Sequence, residues 1–399
     1  MLSPEILSVL KQSVPVLEEK GVEITTTFYG ILFERNPELK NLFNLANQRN
    51  GNQARALASA IFAYANMAEN PEQLMPMVNR IAHKHASLNI LPEHYPLVGE
   101  ALLMALSQEL DLPLDHDLIQ SWGEAYGSLA EVFINHEESI YQENANQPGG
   151  WRDFRRFTIS KIVPETDEIK SFYLVPADEN GLALFKAGQY VGVKLDIPGH
   201  PFQEIRQYSL SDRPGQGHYR ISVKAEPGKP EGMVSNYLHK QLGEGDSLMI
   251  SAPMGDFTLP KQPERDVVLI SAGVGITPMM SMLKDQLHKQ DDTPITFIHC
   301  AQSKEKHSLK QDIKDLQADH KFGYFTAYMD DSNGDHQGFL NQAALDKFLT
   351  SDGAPNNADY YFCGPFPFMV ALRELLLERG VKEEQLHYEV FGPTLSLVA

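Results

Sequence analysis

The stretch from His83 to Pro96, HKHASLNILPEHYP, places a histidine where it could bind a metal ion. Leu74, Val78, Ile81, His85 and Leu88 recur at helical spacing and form one apolar face. His83 follows Leu74 by nine residues, roughly 180° away at about 100° per residue, so it is expected to face outward while His85 faces in. A buried imidazole is either a metal ligand or a core histidine satisfied by a carbonyl or water. The companions of His85 weigh on that choice. In a second expected helix Val22, Thr25, Tyr29 and Leu32 or Phe33 share a face, which turns the Tyr29 phenol inward. Gln53 lies on the same side of a later helix as Leu57, Ile61 or Ala60, and Tyr64. A last stripe of Ile119, Trp122, Tyr126, Leu129 and Phe133 runs on to Glu137 and Ile140. A buried phenol seeks a hydrogen-bond partner and a buried carboxylate must be paired; the alternative for Glu137 is a helix end frayed into solvent. An imidazole, a phenol, an amide and a carboxylate thus converge on one apolar interior.

These residues sit on helices. Residues from about 3 to 143 show helical spacing and little alternation, interrupted by turn signals at Asn36-Pro37, Asn70-Pro71, Leu91-Pro92 and Leu112-Pro113. An all-helical first domain is expected. The 399 residues suffice for roughly two to four domains. A net charge of −19 argues against nucleic acid or an anionic membrane surface as partner. No apolar run is long enough to span a bilayer, and MLSPEILSVLKQ lacks the basic-then-apolar layout of a targeting segment. Two cysteines, Cys300 and Cys363, are too few for a disulfide framework or an iron-sulfur cluster. A soluble, reducing, cytoplasmic setting is expected.

The texture changes after NANQPGG (144–150), a run of turn formers that reads as a linker. Short alternating strands follow, RRFTISKIV, IKSFYLV, QYVGVKL, HYRISVKA and DSLMISAP, which suggest a small antiparallel barrel. Within it Arg206-Gln207-Tyr208-Ser209 resembles the R-x-Y-S signature of the ferredoxin-NADP reductase superfamily; on their own, arginine and tyrosine on a strand would simply cover a sheet. Glu231-Gly232-Met-Val-Ser235 opens a helix, where backbone amides suit a phosphate, the alternative being an ordinary helix cap by Ser235. From about Pro263, strands VVLIS, ITFIHC, YFTAYM, YYFC and LHYEVF alternate with helical patterns, so a doubly wound parallel sheet is expected. Gly273-Val274-Gly275-Ile276-Thr277-Pro278 follows its first strand and leads into a helix, the place for a dinucleotide pyrophosphate. Cys363-Gly364-Pro365 with Phe368-Met369 follows a late strand, and His387, Glu389 and Phe391 alternate on the last one. For Glu389 an exposed edge charge is the alternative. Ser303 to His307, SKEKH, offers lysines for a 2′-phosphate or is a solvated turn.

The segment FYGILFERNPELKNLF (28–43) resembles the globin corner N-P-E-L-x-x-x-F, in which Phe43 would lie against haem. With Tyr29, Gln53, Leu57, His85, Tyr95 and Glu137 in matching places, and the reductase motifs following in order, the whole chain resembles the bacterial flavohaemoglobin (nitric oxide dioxygenase) family. The resemblance implies three domains: a globin haem domain at 1–145, an FAD-binding β-barrel at 151–262 and a ferredoxin-NADP reductase-like NAD(P)-binding α/β domain at 263–399. It implies His85 as iron ligand, with Tyr29, Gln53, Tyr95 and Glu137 in the catalytic machinery and Phe43, Leu57 and Lys84 beside the cofactors. Tyr190, Arg206, Gln207, Tyr208, Ser209, Gly232 and Ser235 would hold FAD. Gly273, Val274, Gly275, Ile276, Thr277, Pro278, Cys363 and Gly364 would hold the nicotinamide dinucleotide, and Glu389, Val390, Phe391, Gly392 and Pro393 would line the flavin. The implied activity passes hydride from NADH or NADPH to FAD and single electrons to haem b, whose ferrous-oxy form oxidises nitric oxide to nitrate. The implied partners are nitric oxide and dioxygen, for a monomer without membrane insertion. The alternatives are a flavin, ferric or peroxide reductase with a haem sensor, and an oxygen- or lipid-binding globin.

Overall fold

The computed structural model describes residues 2–228, 231–289, 293–349, 357–392 and 397. Leu10, Leu17, Ile24, Phe28 and Leu32 form one buried stripe, and it holds together a single helix, α1, Pro4–Arg35. The expected second helix is therefore the latter half of α1. Pro15 removes one backbone donor but does not end the helix. Thr25, Tyr29 and Leu32 are buried, while Val22 lies off the stripe at 45% exposure. Helices α2 (Leu45–Arg49), α3 (Asn52–Met67), α4 (Pro71–Ser87), α5 (His94–Leu110) and α6 (Asp117–Asn146) follow. Pro37 and Pro71 each stand in the first turn of a helical segment, where a missing N–H does no harm. Helix α1 packs on α3 and α5, and α4 packs on α6.

Six strands then form an antiparallel sheet: β1 (Phe154–Pro164), β2 (Ile169–Pro176), β3 (Tyr190–Leu195), β4 (Glu204–Ser209), β5 (Tyr219–Lys224) and β6 (Ser247–Ser251), in the order β4-β3-β6-β1-β2-β5. A bridge between Leu210 and Ile221 joins the two edges and closes the barrel. β4 was not among the expected strands; it carries Arg206 to Ser209. Helix α7 (Met233–Gln241) precedes β6.

The last unit is a parallel sheet ordered β10-β9-β8-β7-β11-β12. Its strands are β7 (Asp266–Ala272), β8 (Ile295–Ala301), β9 (Gly323–Tyr328), the short β10 (His336–Gln337), β11 (Ala358–Cys363) and β12 (Leu386–Tyr388). Helices α8 (Ile276–His288), α9 (Lys310–Asp319), α10 (Gln342–Phe348) and α11 (Phe366–Glu378) lie between them. β8 lies on one side of β7 and β11 on the other, so the crevice for a ligand opens at their carboxyl ends. The final strand stops at Tyr388, earlier than expected, and Glu389 and Phe391 leave the sheet with the chain.

A buried ion network ties the barrel to the parallel sheet. Arg220 on β5, 1% exposed, pairs with Asp312 of α9 at 2.6 Å; Lys284 of α8 pairs with Asp312 at 2.8 Å and with Asp212 at 3.1 Å. Charges removed from water are tolerable only in such mutual contact. Among the described residues no helix is long and apolar enough to cross a membrane.

Candidate functional site

His85 occupies the inward face of α4. Its Nδ1 lies 2.7 Å from Glu137 Oε1 and 3.2 Å from the Tyr95 hydroxyl, and that hydroxyl donates to the same carboxylate oxygen at 2.6 Å. Glu137 is 2% exposed, so it is a buried, paired carboxylate and not a frayed end. A carboxylate accepts only, so in the neutral imidazole the proton sits on Nδ1 and Nε2 keeps its lone pair. Burial first, and then the Glu137 charge, push the Tyr95 phenol up, so it remains a donor. Tyr126 donates to the Tyr95 carbonyl at 2.7 Å and Tyr141 to the Ile90 carbonyl at 2.8 Å, so α6 clamps the segment after α4.

Tyr29 faces the same interior from α1. Burial raises its phenol, opposed by hydrogen bonding with the Gln53 and Gln48 side chains. One cavity of about 600 Å³ runs from this group to the barrel. Tyr29, Phe43, Gln53, Leu57, His85 and Tyr95 line one end, Tyr190, Arg206, Gln207 and Ser209 the other, and Lys84, Glu389, Val390, Phe391 and Gly392 the junction. Arg80, His94 and Asp256, which no sequence motif marks, also line it. Asp256 follows a left-handed glycine, Gly255.

His83 departs from expectation. It is half-buried, and its buried Nδ1 has no hydrogen-bond partner among the described residues. The outward side of α4 is covered by the reductase half: Asn79, one turn earlier, holds His136 Nε2 at 2.9 Å and donates to Asp256 of the barrel unit at 3.2 Å. A helical period identifies two faces but cannot show that a second domain covers the outer one.

At the junction Lys84 donates to the Gly392 carbonyl at 2.8 Å. Burial lowers its ammonium to about 8, against the pull of Glu389. Burial, and then Asp256, raise the Glu389 carboxyl to about 8, against Arg80 and Lys84. Its Oε2 is buried with no hydrogen-bond partner among the described residues, so Glu389 is not an exposed edge charge. The folded protein keeps this proton up to about pH 8, whereas an unfolded chain releases it near 4.5, so stability falls as pH rises between those values. Glu389→Gln should therefore gain melting temperature over the parent with rising pH in that window. A constant difference across it would mean an ionised Glu389.

Arg206 Nη1 lies 2.7 Å from the buried Glu204 and donates to the Ile205 carbonyl at 2.8 Å. Tyr208 is half-buried outside the cavity lining. Gly232 caps α7, and Ser235 stands two residues inside the helix, so the expected alternative of a Ser235 cap does not hold. The Ser235 hydroxyl instead accepts from the Glu226 N–H and donates to the Gly232 carbonyl, both at 3.3 Å.

A separate group lies at the sheet crevice. Gly273 has φ +54° and opens a short turn into α8, with Val274 accepting from Thr277 Oγ1 at 3.0 Å and Ile276 and Pro278 buried in the first turn. A Cβ on Gly275 would overlap the Cys363 carbonyl oxygen and reach Gly364 N at 2.7 Å. Both cysteines are free, and Cys363 is fully buried. Lys306, one of the two lysines of SKEKH, is held by Asp167 at 2.9 Å and by Glu168. Pro393 lies outside the described residues.

Fold and site together define a globin joined to a ferredoxin reductase-like, FAD- and NAD-binding pair of domains. The globin family model matches residues 26–133, and the model for the oxidoreductase NAD-binding domain matches residues 269–374. Flavohemoproteins of Bacillus thuringiensis subsp. konkukian and Bacillus subtilis are 45% and 44% identical to this chain, each over 100% of it and over 100% and 99% of their own lengths. A crystal structure of the flavohemoglobin from Malassezia yamatoensis with bound FAD and heme superimposes with a TM-score of 0.87 at 28% identity, over 98% of this chain and 100% of that one. The FAD/NAD-binding domain of the nitric oxide dioxygenase from Vibrio cholerae O1 biovar El Tor matches 61% of this chain and 100% of its own, with 39% identity and a TM-score of 0.56. The chain belongs to the flavohemoprotein family and is an oxidoreductase.

Proposed function

We propose that this chain is an NAD(P)H-dependent nitric oxide dioxygenase, a cytoplasmic monomer acting on nitric oxide and dioxygen. Residues 1–145 would hold haem b, 151–262 FAD and 263–399 the dinucleotide. The observation that carries the reading is the single cavity with His85 at one end and the Arg206–Ser209 strand at the other.

The residues fit these groups. Among the described residues no cluster of three or more His, Cys, Asp or Glu could hold a bare metal ion, so His85 suits an iron whose other ligands arrive with a porphyrin. The apolar walls contributed by Phe43, Leu57, Ile61, Val98 and Phe133 suit a flat macrocycle. Arg206 suits a flavin phosphate, and the Gly273–Pro278 turn suits a pyrophosphate. When bound, haem and FAD supply the redox chemistry, with the flavin taking hydride and parting with single electrons.

The chain supplies orientation, charge and dryness. Glu137 fixes the tautomer and plane of His85 and raises its basicity through Nδ1. Tyr29, kept protonated by burial, would offer its hydroxyl as a hydrogen-bond donor to dioxygen held in the cavity, and Gln53 would orient that hydroxyl. The apolar walls exclude water, which would compete for both hydrogen bonds. Phe43 and Phe33 pack edge-on at 5.1 Å, and Tyr29 stacks on Phe33 at 5.8 Å, so the phenol is held by rings and not by a mobile loop.

The test is anaerobic addition of NADH, and separately NADPH, to the purified holoprotein, followed by oxygen and then nitric oxide with a nitrate assay. Flavin bleaching, haem reduction and nitrate formed in step with nitric oxide loss are expected. Flavin reduction with haem left ferric would replace this reading with that of a plain reductase, whose turnover would survive His85→Ala. Tyr29→Phe should raise the dissociation rate of dioxygen roughly tenfold or more, the effect of losing a hydrogen bond to a charged acceptor at about 1.5–3 kcal/mol. An unaltered rate in flash photolysis would place that hydroxyl elsewhere.

A further inference from the structure

Gly192 sits inside β3, where glycine weakens a strand unless another backbone must come close. That backbone belongs to the last residue of α4, the helix carrying His85. A Cβ on Gly192 would overlap the Ser87 carbonyl oxygen and would meet Ser251 Oγ at 3.3 Å. Ser87 is fully buried; its hydroxyl accepts from Gln207 Nε2 at 3.1 Å and donates to the Lys84 carbonyl at 2.7 Å. Gln207 is the register partner of Gly192 across β3 and β4, so two facing residues of the barrel grip one residue of the helix.

Neither side of this contact can yield cheaply. The Gly192 N–H donates to Ser251 Oγ at 2.8 Å, just beyond the β3–β6 pairing of Val193 with Ile250, which fixes the strand. Ser87 lies in the last helical turn, and Leu88 N and Ile90 N both donate to the His85 carbonyl, at 3.0 and 3.1 Å. Elsewhere the globin helices meet the barrel unit through reaching side chains: Asn79 to Asp256 at 3.2 Å, Asn41 accepting from Gln203 N at 2.8 Å, and Lys40 over the Phe202 ring at 5.4 Å. Such side chains swing; a backbone seated on a backbone does not.

We propose that Gly192, seated against Ser87, is the positioning residue that sets the spacing between the His85 helix and the flavin barrel, and thereby the rate of electron delivery between the two ends of the cavity. This rests on the function proposed above. Electron tunnelling falls steeply with separation, so one methyl group at Gly192, which lies outside the cavity lining, acts on transfer through the spacing.

The experiment uses the full-length protein loaded with haem and FAD. In Gly192→Ala the absorption spectra and NADH-driven flavin reduction should match the parent, while haem reduction in anaerobic stopped flow should slow roughly tenfold. Amide exchange at Leu88 and Ile90 should quicken as the helix end is pushed from its seat. Ser87→Ala removes the Gln207 bond while adding no bulk, and should slow haem reduction by a smaller factor; it also carries the test if Gly192→Ala does not fold. Haem reduction at the parent rate in the variants overturns this inference alone. A parent protein whose haem stays ferric overturns the proposed function together with it.

Discussion

Glu137→Gln should slow nitric oxide turnover by roughly ten- to a hundredfold, the usual effect of altering a group that orients a metal-binding histidine. Oxidation of NADH by an artificial acceptor should continue at the parent rate. The amide keeps the size of the side chain and one oxygen to accept from His85 Nδ1 and Tyr95, now at 2.7 and 2.6 Å from the carboxylate. It lacks the charge. Imidazole basicity falls with that charge, and the buried amide brings two N–H groups into a place where the described donors already point at the oxygen. The two assays separate the ends of the molecule, because Glu137 touches only the His85 end. Nitric oxide turnover equal to the parent would remove Glu137 from the proposed machinery.

Gly275→Ala should lower NADH affinity more than tenfold and reduce the stability of the dinucleotide-binding unit by about 1–3 kcal/mol, the range for overpacking a well-packed site. The added carbon would overlap the Cys363 carbonyl oxygen. That carbonyl cannot retreat: Cys363 is paired in register with Ser271 of β7, and its side chain is fully buried. The start of α8 must therefore move away from β11, carrying its free N–H groups out of the crevice where a pyrophosphate would sit. Fluorescence titration with NADH and rapid-mixing reduction of the flavin measure the loss. Oxygen binding to chemically reduced protein is the control and should not change. Parent-like affinity together with parent-like melting would show that this turn can widen without consequence.

The helical half of the site was legible in the sequence because its residues lie on stripes of period 3.6. The stripe from Ile119 to Phe133 leads straight to Glu137, and the face of Leu74 and Val78 leads to His85. What the period could not supply was contact between domains. His83 reads as outward because one helix in isolation has only an apolar and a polar side. The barrel then covers that polar side, bringing Asp256 to Asn79. Strand β4 was hidden because Glu204, Arg206 and Gln207 do not alternate in polarity; the burial of Glu204 is allowed by its pairing with Arg206, which is a fact of three dimensions. The end of β12 is not marked in the sequence, because HYEVF alternates whether or not a neighbour continues the ladder, and β11 ends at Cys363. Gly192 shows the same gap: its reason lies in a residue far away along the chain.

The uninterrupted cavity also makes its two ends a single electrostatic body. Coulomb interaction is strong where water is excluded, and the walls between Tyr29 and Glu389 are mainly apolar. Charge gained or lost at one end, the ionisation of Glu389 included, therefore shifts the groups at the other by more than it would across water, and the site answers to pH as one body without a moving part.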